Sequence, residues 1–148
     1  MRALLQRVSR AEVRVGGRVV GSIGGGLLVL LGVGHGDDGA VADGLARRLT
    51  ELRIFEDEEG RTNRSLTDVG GAVLLVSQFT LYADTSHGRR PGFTGAASPD
   101  LARDLWLRVA STLRDAGIPT ELGEFGSSME VELVNDGPFT IWLDTADR

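Results

Sequence analysis

Ser77 and Thr80, in the segment Ser77-Gln78-Phe79-Thr80-Leu81, are the hydroxyls best placed to act on an ester or amide. They follow the continuous apolar run Ala72-Val73-Leu74-Leu75-Val76, and polar residues at the end of a buried strand are a common place for a site. Nothing adjacent in the sequence supplies the base that would turn either hydroxyl into a nucleophile, so a catalytic triad is not supported. What the segment offers instead is backbone N–H groups and hydroxyls that could hold a carbonyl or an oxyanion. A simple capped strand end reads equally well from these residues. The second segment of interest is Asn135-Asp136-Gly137-Pro138-Phe139-Thr140. Its composition is that of a turn joining two strands. Only about 5–6% of X–Pro bonds in folded proteins are cis, so sequence alone predicts trans for Gly137–Pro138.

Other arrangements carry less. Gly34-His35-Gly36-Asp37-Asp38-Gly39 has the spacing of a dinucleotide-binding loop, but two carboxylates would stand where a pyrophosphate must sit. The loop therefore reads as a glycine-rich turn with a capping aspartate. His35 and His87 have no second histidine or carboxylate at ligand spacing, and the chain has no cysteine. Neither a metal site nor a cofactor site is expected. Glu58-Glu59 and Glu130/Glu132 read as solvated faces, and Trp106 and Trp142 as core or subunit-interface residues.

The elements that must position these residues follow from periodicity. Leu4–Val8, Ala11–Val15 and Arg18–Val20 read as strands with a Gly16-Gly17 turn, and Gly26–Gly32 and 72–76 as strands buried on both faces. Asp37 or Asp38 caps a helix running to about Leu52, with Val41, Leu45, Leu49 and Leu52 on one face. The stretch from Asp84 to Ala97 loses all period and reads as a long functional loop. Ser98 caps a second helix that starts at Pro99, buries Leu101, Leu105, Val109 and Leu113, and closes at Gly117. Pro119–Phe125, Met129–Val134 and Phe139–Leu143 read as strands. This order predicts one α/β domain over residues 1–148, compact and three-layered, with mixed, largely antiparallel, barrel-like sheets and two main helices.

Composition fits that picture. A chain of 148 residues is long enough to bury about 68–70% of its unfolded surface in one core. With 41% apolar and 25% charged residues it is an ordinary globular composition. No run approaches a membrane span, Met1–Arg7 falls short of a signal peptide, and a cytoplasmic location is expected. The net charge of −5 argues against a protein that coats nucleic acid, DNA included, by charge alone. The charge is uneven, however. Residues 1–20 hold five arginines against Glu12, so the composition allows local basic surface.

Taken together, Ser77–Leu81 and Asn135–Thr140, with Gly88-Arg89-Arg90-Pro91 and Phe125-Gly126-Ser127-Ser128-Met129 in the same order and spacing, resemble the D-aminoacyl-tRNA deacylases. The likeness runs from Gln6-Arg7-Val8 to Trp142. It implies a homodimer that hydrolyses the ester of D-aminoacyl-tRNA, and mischarged glycyl-tRNA, without metal or cofactor. It also implies that Ser77, Gln78, Phe79 and Thr80 line the reacting ester and the terminal adenosine, with the ribose 2′-hydroxyl of the substrate assisting water. The selecting turn, implied to be cis at Gly137–Pro138 and flanked by Asn135 and Thr140, would reach in from the partner subunit and exclude L side chains by a clash. Arg7, Met129 and Phe125 would support these groups. Two positions depart from the family's usual pattern: Phe139 stands where a smaller aliphatic residue is common, and Gly92 where serine is.

Two further readings follow from the same features. One is the sister type of editing enzyme that acts on small L-aminoacyl-tRNA. The other is a module that binds the 3′ end of tRNA without turnover, motivated by Arg2–Arg18 and Arg89-Arg90. No membrane partner is expected.

Overall fold

A computed structural model describes residues 1–147. The first strand, β1 (Arg2–Val15), is a single 14-residue strand where the sequence pattern reads two. Its burial alternates through Ala3 and Leu5, skips at Arg7 and Val8, which are both buried, and resumes at Ala11 and Val13. One continuous strand thus presents its two halves to two different apolar clusters. The N-terminal half pairs antiparallel with β3 (Gly26–Gly32), and the C-terminal half pairs with β2 (Arg18–Ile23).

β3 and β6 (Ala72–Ser77) lie parallel at the centre of a six-stranded sheet, followed by β7 (Thr120–Leu122). Their apolar runs face both ways. Leu27, Val29, Leu31, Val73 and Leu75 enter the cluster under the helices, while Leu28, Leu74 and Val76 join Val8, Ala11, Val13 and Ile23 in a second cluster inside the curled sheet. Full burial of each such side chain contributes about 1.5–3 kcal/mol relative to exposure. The sheet nearly closes into a barrel: a Cβ on Gly21 of β2 would stand 2.5 Å from the Leu122 carbonyl oxygen of β7. The expected three-layer, barrel-like α/β architecture is therefore what forms.

Two long helices cover one face. α1 (Gly39–Glu51) is capped by Asp38, which accepts from the Val41 amide at 3.0 Å. Asp37, the other candidate cap, accepts from the Gly34 amide at 2.7 Å instead. A short helix, α2 (Leu66–Val69), with a Ser65–Asp68 capping box, and a small hairpin of β4 (Phe55–Glu56) and β5 (Thr62–Arg64) went unread in the sequence. α3 (Pro99–Asp115) begins after Ser98 and buries Leu105, Trp106, Val109, Ala110 and Leu113. Leu101, expected on the buried face, is 36% exposed because it sits in the first turn, outside the contact with the sheet.

Asp43 of α1 ties the helices together. It accepts from Arg108 Nε at 3.0 Å and Nη2 at 2.8 Å, and from Thr112 Oγ1 at 2.9 Å. The Arg108 and Thr112 hydrogen bonds hold its carboxyl down from the ordinary 3.8 to about 2. A depressed carboxyl stabilises the fold above its ordinary value, and that contribution is lost as pH falls through the folded value. Asp43→Asn is accordingly expected to lower Tm at neutral pH, by an amount that shrinks as pH is taken down toward about 2. A Tm difference that stays constant across that range in calorimetry overturns this account.

The last strand, β8 (Glu130–Asp144), corrects the sequence reading of two strands joined by a turn. It runs without reversing and pairs antiparallel with β1 along nearly its whole length. Gln6 opposes Thr140 and Val8 opposes Asn135, so residues 136–139 bulge out opposite Arg7 alone. The Asn-Asp-Gly-Pro composition that suggests a hairpin here builds an extended bulge, because the partner strand continues on both sides of it.

Candidate functional site

The β6 strand ends at Ser77, and the chain turns at once into a single 3₁₀ turn over Phe79–Tyr82. The Gln78 amide donates to the Leu31 carbonyl of β3 at 2.7 Å, which fixes the point of departure from the sheet. The first N–H groups of a helical turn have no partner within it. Among the described residues, the Phe79 and Thr80 amides have no backbone acceptor. The Thr80 hydroxyl accepts from the Gln78 side-chain amide, and among the described residues no histidine or carboxylate hydrogen-bonds to it. The segment is therefore a pair of unused N–H donors at an exposed strand end, with hydroxyls that lack a base. It suits holding a developing oxyanion better than attacking a carbonyl.

Two clefts flank this segment. The larger, about 420 Å³, is lined by Ser77, Gln78 and Phe79 at its mouth and by Leu31, Ala97, Trp106 and Phe125 among its walls. Phe93 meets Phe79 edge-on with ring centroids 5.0 Å apart, and Trp106 lies 5.7 Å from Phe125. The smaller, about 270 Å³, runs from Ser77–Phe79 to Gly126, Ser127, Met129 and Val131. The structure thus brings Ser77, Gln78, Phe79, Phe125 and Met129 around one strand end. Sequence reasoning did not place Phe93 and Trp106 there. In the sequence Phe93 reads only as part of a long loop, and Trp106 only as a core or subunit-interface residue. Its indole N–H is buried without a partner.

The second group forms elsewhere on the chain. Arg7, 6% exposed, donates from Nε to the Asp136 carbonyl at 3.1 Å and from Nη1 to the Ile54 carbonyl at 2.8 Å. Its guanidinium lies 4.7 Å from the centre of the Phe139 ring. Asn135 accepts from the Phe139 amide at 2.8 Å and donates to Thr140 Oγ1 at 2.9 Å, closing the bulge on itself. The Gly137–Pro138 peptide at its tip is cis, and Gly137 has φ of +138°. Neither cleft beside Ser77–Phe79 is lined by any residue of the bulge. Within one chain, then, the two groups build two separate surfaces.

Among the described residues no three histidine, cysteine, aspartate or glutamate side chains gather as metal ligands, and no helix is long and apolar enough to cross a membrane. His35 is engaged through Nε2 with the Thr94 carbonyl at 2.6 Å.

A mixed, nearly closed sheet whose central strand ends in two unpaired amides beside an apolar cleft suits one class of protein, an enzyme that acts on an acyl group. The chain belongs to the D-Tyr-tRNA(Tyr) deacylase family, whose match extends over residues 4–144, and it is a hydrolase. It is 61% identical over 147 residues to the D-aminoacyl-tRNA deacylase of Thermomicrobium roseum, covering 99% of this chain and 96% of that one. It is 58% identical over 148 residues to that of Paracoccus denitrificans, covering 100% and 99%. Among solved structures, a c-Myc DNA Unwinding Element Binding Protein superposes with a TM-score of 0.92 at 38% identity, covering 97% of this chain and 98% of that one. A probable eukaryotic D-amino acid tRNA deacylase superposes with a TM-score of 0.81 at 20% identity, covering 96% and 97%, a likeness of fold. The family expected from the paired segments is the family found.

Proposed function

We propose that this hydrolase removes D-aminoacyl groups, and glycine, from tRNA. Water adds to the ester carbonyl carbon, the bond to the ribose 3′-oxygen breaks, that oxygen takes a proton, and free amino acid and tRNA leave. The observation that carries this reading is the pair of unused Phe79 and Thr80 amides beside an apolar cleft, in a chain of the deacylase family. The amides receive the negative charge that develops on the carbonyl oxygen. The terminal adenosine occupies the cleft between Phe79, Phe93, Trp106 and Phe125. Its 2′-hydroxyl assists the attacking water, which removes the need for a protein base. Positioning of this kind lowers a barrier by several kcal/mol when the geometry is tight.

Selection of hand falls to the Asn135–Thr140 bulge. Because it borders neither cleft of its own chain, the bulge acts on the site of a second subunit in a homodimer. There the Gly137 and Pro138 backbone carbonyls hold the substrate's α-amino group and leave no room for an L side chain, so D-residues and achiral glycine alone fit.

Incubation with D-tyrosyl-tRNA and L-tyrosyl-tRNA tests the reading. Hydrolysis of the D-ester and sparing of the L-ester are expected, and equal or absent hydrolysis of both overturns it. Thr80→Ala separates the roles at that residue. With the amide intact, kcat is expected to stay within about 10-fold of wild type, since general acid–base catalysis is typically worth 10²–10⁴-fold. A loss of 10²-fold or more would assign the chemistry to the hydroxyl.

A further inference from the structure

The loop that follows the site is a basic stretch without acids. Between Thr85 and Ser98 there are two arginines, one histidine and no acid, in a protein of net charge −5 with 21 acidic residues. Arg89 and Arg90 are both exposed, and among the described residues neither has an ion-pair partner. Arg2, Arg10, Arg14, Arg18 and Arg108 are each paired with acids, whereas Arg47, Arg48, Arg53, Arg64, Arg103 and Arg114 share the unpaired state among the described residues, and none of these six lines the cleft.

The loop is also built to hold its tip in place. Asp84 and Gly92 exchange both backbone hydrogen bonds, at 2.7 and 2.9 Å, and close the base. The Asp84 carboxylate accepts from the Ser86 amide at 2.9 Å and the Ser86 hydroxyl at 2.5 Å, and among the described residues it forms no ion pair with either arginine. Gly88, at φ +67°, makes the bend, and Pro91 disfavours helical backbone at Arg90. Just past the base, Phe93 stands edge-on to Phe79 at the mouth of the larger cleft. Two residues, Pro91 and Gly92, separate Phe93 from Arg90, so three residue steps give a backbone reach of at most about 11 Å. An arginine fork that near a nucleoside-sized cleft lies within range of the phosphates next to whatever nucleoside fills it.

We propose that Arg89 and Arg90 form a docking surface for the backbone phosphates of the single-stranded 3′ end of the substrate tRNA. The proposal rests on the reading that the terminal adenosine sits in the cleft behind Phe79. The loop contributes affinity and registers the strand, while the amides of Phe79 and Thr80 do the chemistry. This resolves how an acidic protein binds an RNA end: the grip is local, two phosphates wide, and sensitive to salt.

The test compares wild type with Arg89→Gln/Arg90→Gln on two substrates. These are D-tyrosyl-tRNA and D-tyrosyl-adenosine, which carries the same ester and base but no phosphate. The double variant is expected to raise KM for the tRNA by roughly 10-fold with little change in kcat, and to leave both constants for D-tyrosyl-adenosine as they are. The dependence of log(kcat/KM) on log[salt] for the tRNA is expected to flatten by about 1.4, that is 0.7 for each of two single-strand contacts. An unchanged KM and salt slope on tRNA overturns the proposal. So does an equal loss on both substrates, which would make the loop merely structural. A wild type inactive on both D-esters instead defeats the functional reading beneath it.

Discussion

Replacing Arg7 by methionine is expected to lower Tm by roughly 5–15 °C and to erode the discrimination between D- and L-esters. Methionine keeps an unbranched apolar stem of similar reach but none of the donors, so the buried Ile54 carbonyl and the Asp136 carbonyl both lose their partner. An acceptor left unsatisfied in the interior costs about 1–3 kcal/mol. The Ile54 carbonyl is buried and carries that full cost while the Asp136 carbonyl is only partly buried and carries less, which brings the loss to about 2–4 kcal/mol. Each kcal/mol moves Tm by about 2–4 °C in a domain of this size. The flanking acids offer no rescue: Glu56 and Asp136 are each 60% exposed at 3.9 and 3.5 Å, a geometry worth little in water. Discrimination suffers because Arg7 is what joins the bulge, at the Asp136 carbonyl and the Phe139 ring, to the residue preceding β4. Arg7→Lys, which keeps one donor group and the charge, is expected to fall between the two. An Arg7→Met protein that melts within about 2 °C of wild type and still spares L-tyrosyl-tRNA would show that the bulge holds its own shape without the guanidinium.

How far the sequence discloses such features depends on the range of the interaction that decides them. β3 and β6 are legible because their apolar runs and terminal glycines are local signals, and α3 is legible because Ser98, Pro99 and Gly117 mark its ends. The choice between Asp37 and Asp38 as cap is already less local. Asp37 is drawn off by the Gly34 amide and by the Met1 ammonium group at 2.9 Å, and Met1 is 36 residues away in the chain. The unity of β8 is beyond local reasoning altogether. Asn-Asp-Gly-Pro is turn chemistry, and only the continuous partner strand β1, roughly 130 residues earlier, keeps the chain from folding back. The same holds for the cleft: Ser77–Thr80 is visible as a polar strand end, but its walls at Phe93, Trp106 and Phe125 come from three elements whose convergence is a property of the packing. The resemblance to the deacylases supplies Phe125 and Met129, and the fold supplies the rest.

Gly137→Ala is expected to reduce kcat/KM on D-tyrosyl-tRNA by about 100-fold, the order of loss that a 1 Å misplacement of a positioning group produces. Its φ of +138° lies where L side chains rarely go. A methyl group there would also stand 2.9 Å from the Phe139 amide nitrogen, 3.2 Å from the Phe139 Cβ and 3.3 Å from Arg7 Nη2. The backbone must shift, at a cost of about 1–3 kcal/mol. The position itself is exposed, and of the bulge only Phe139 packs against an apolar cluster, so the fold survives while the bulge moves. Complementation then asks on which subunit the bulge acts. Phe79→Pro deletes one of the two free amides at a position, the first of its 3₁₀ turn, where proline is tolerated. If each site is assembled from the amides of one subunit and the bulge of the other, a mixed dimer of Gly137→Ala and Phe79→Pro subunits holds one site with both defects and one with neither. Mixing two nearly inactive proteins under exchange conditions is expected to restore D-specific hydrolysis toward half of wild type per mixed dimer. Sites formed within single subunits would each keep one defect, and the mixture would stay as inactive as its parts. That outcome would remove the bulge from the partner's site and return the choice of hand to residues of the cleft itself.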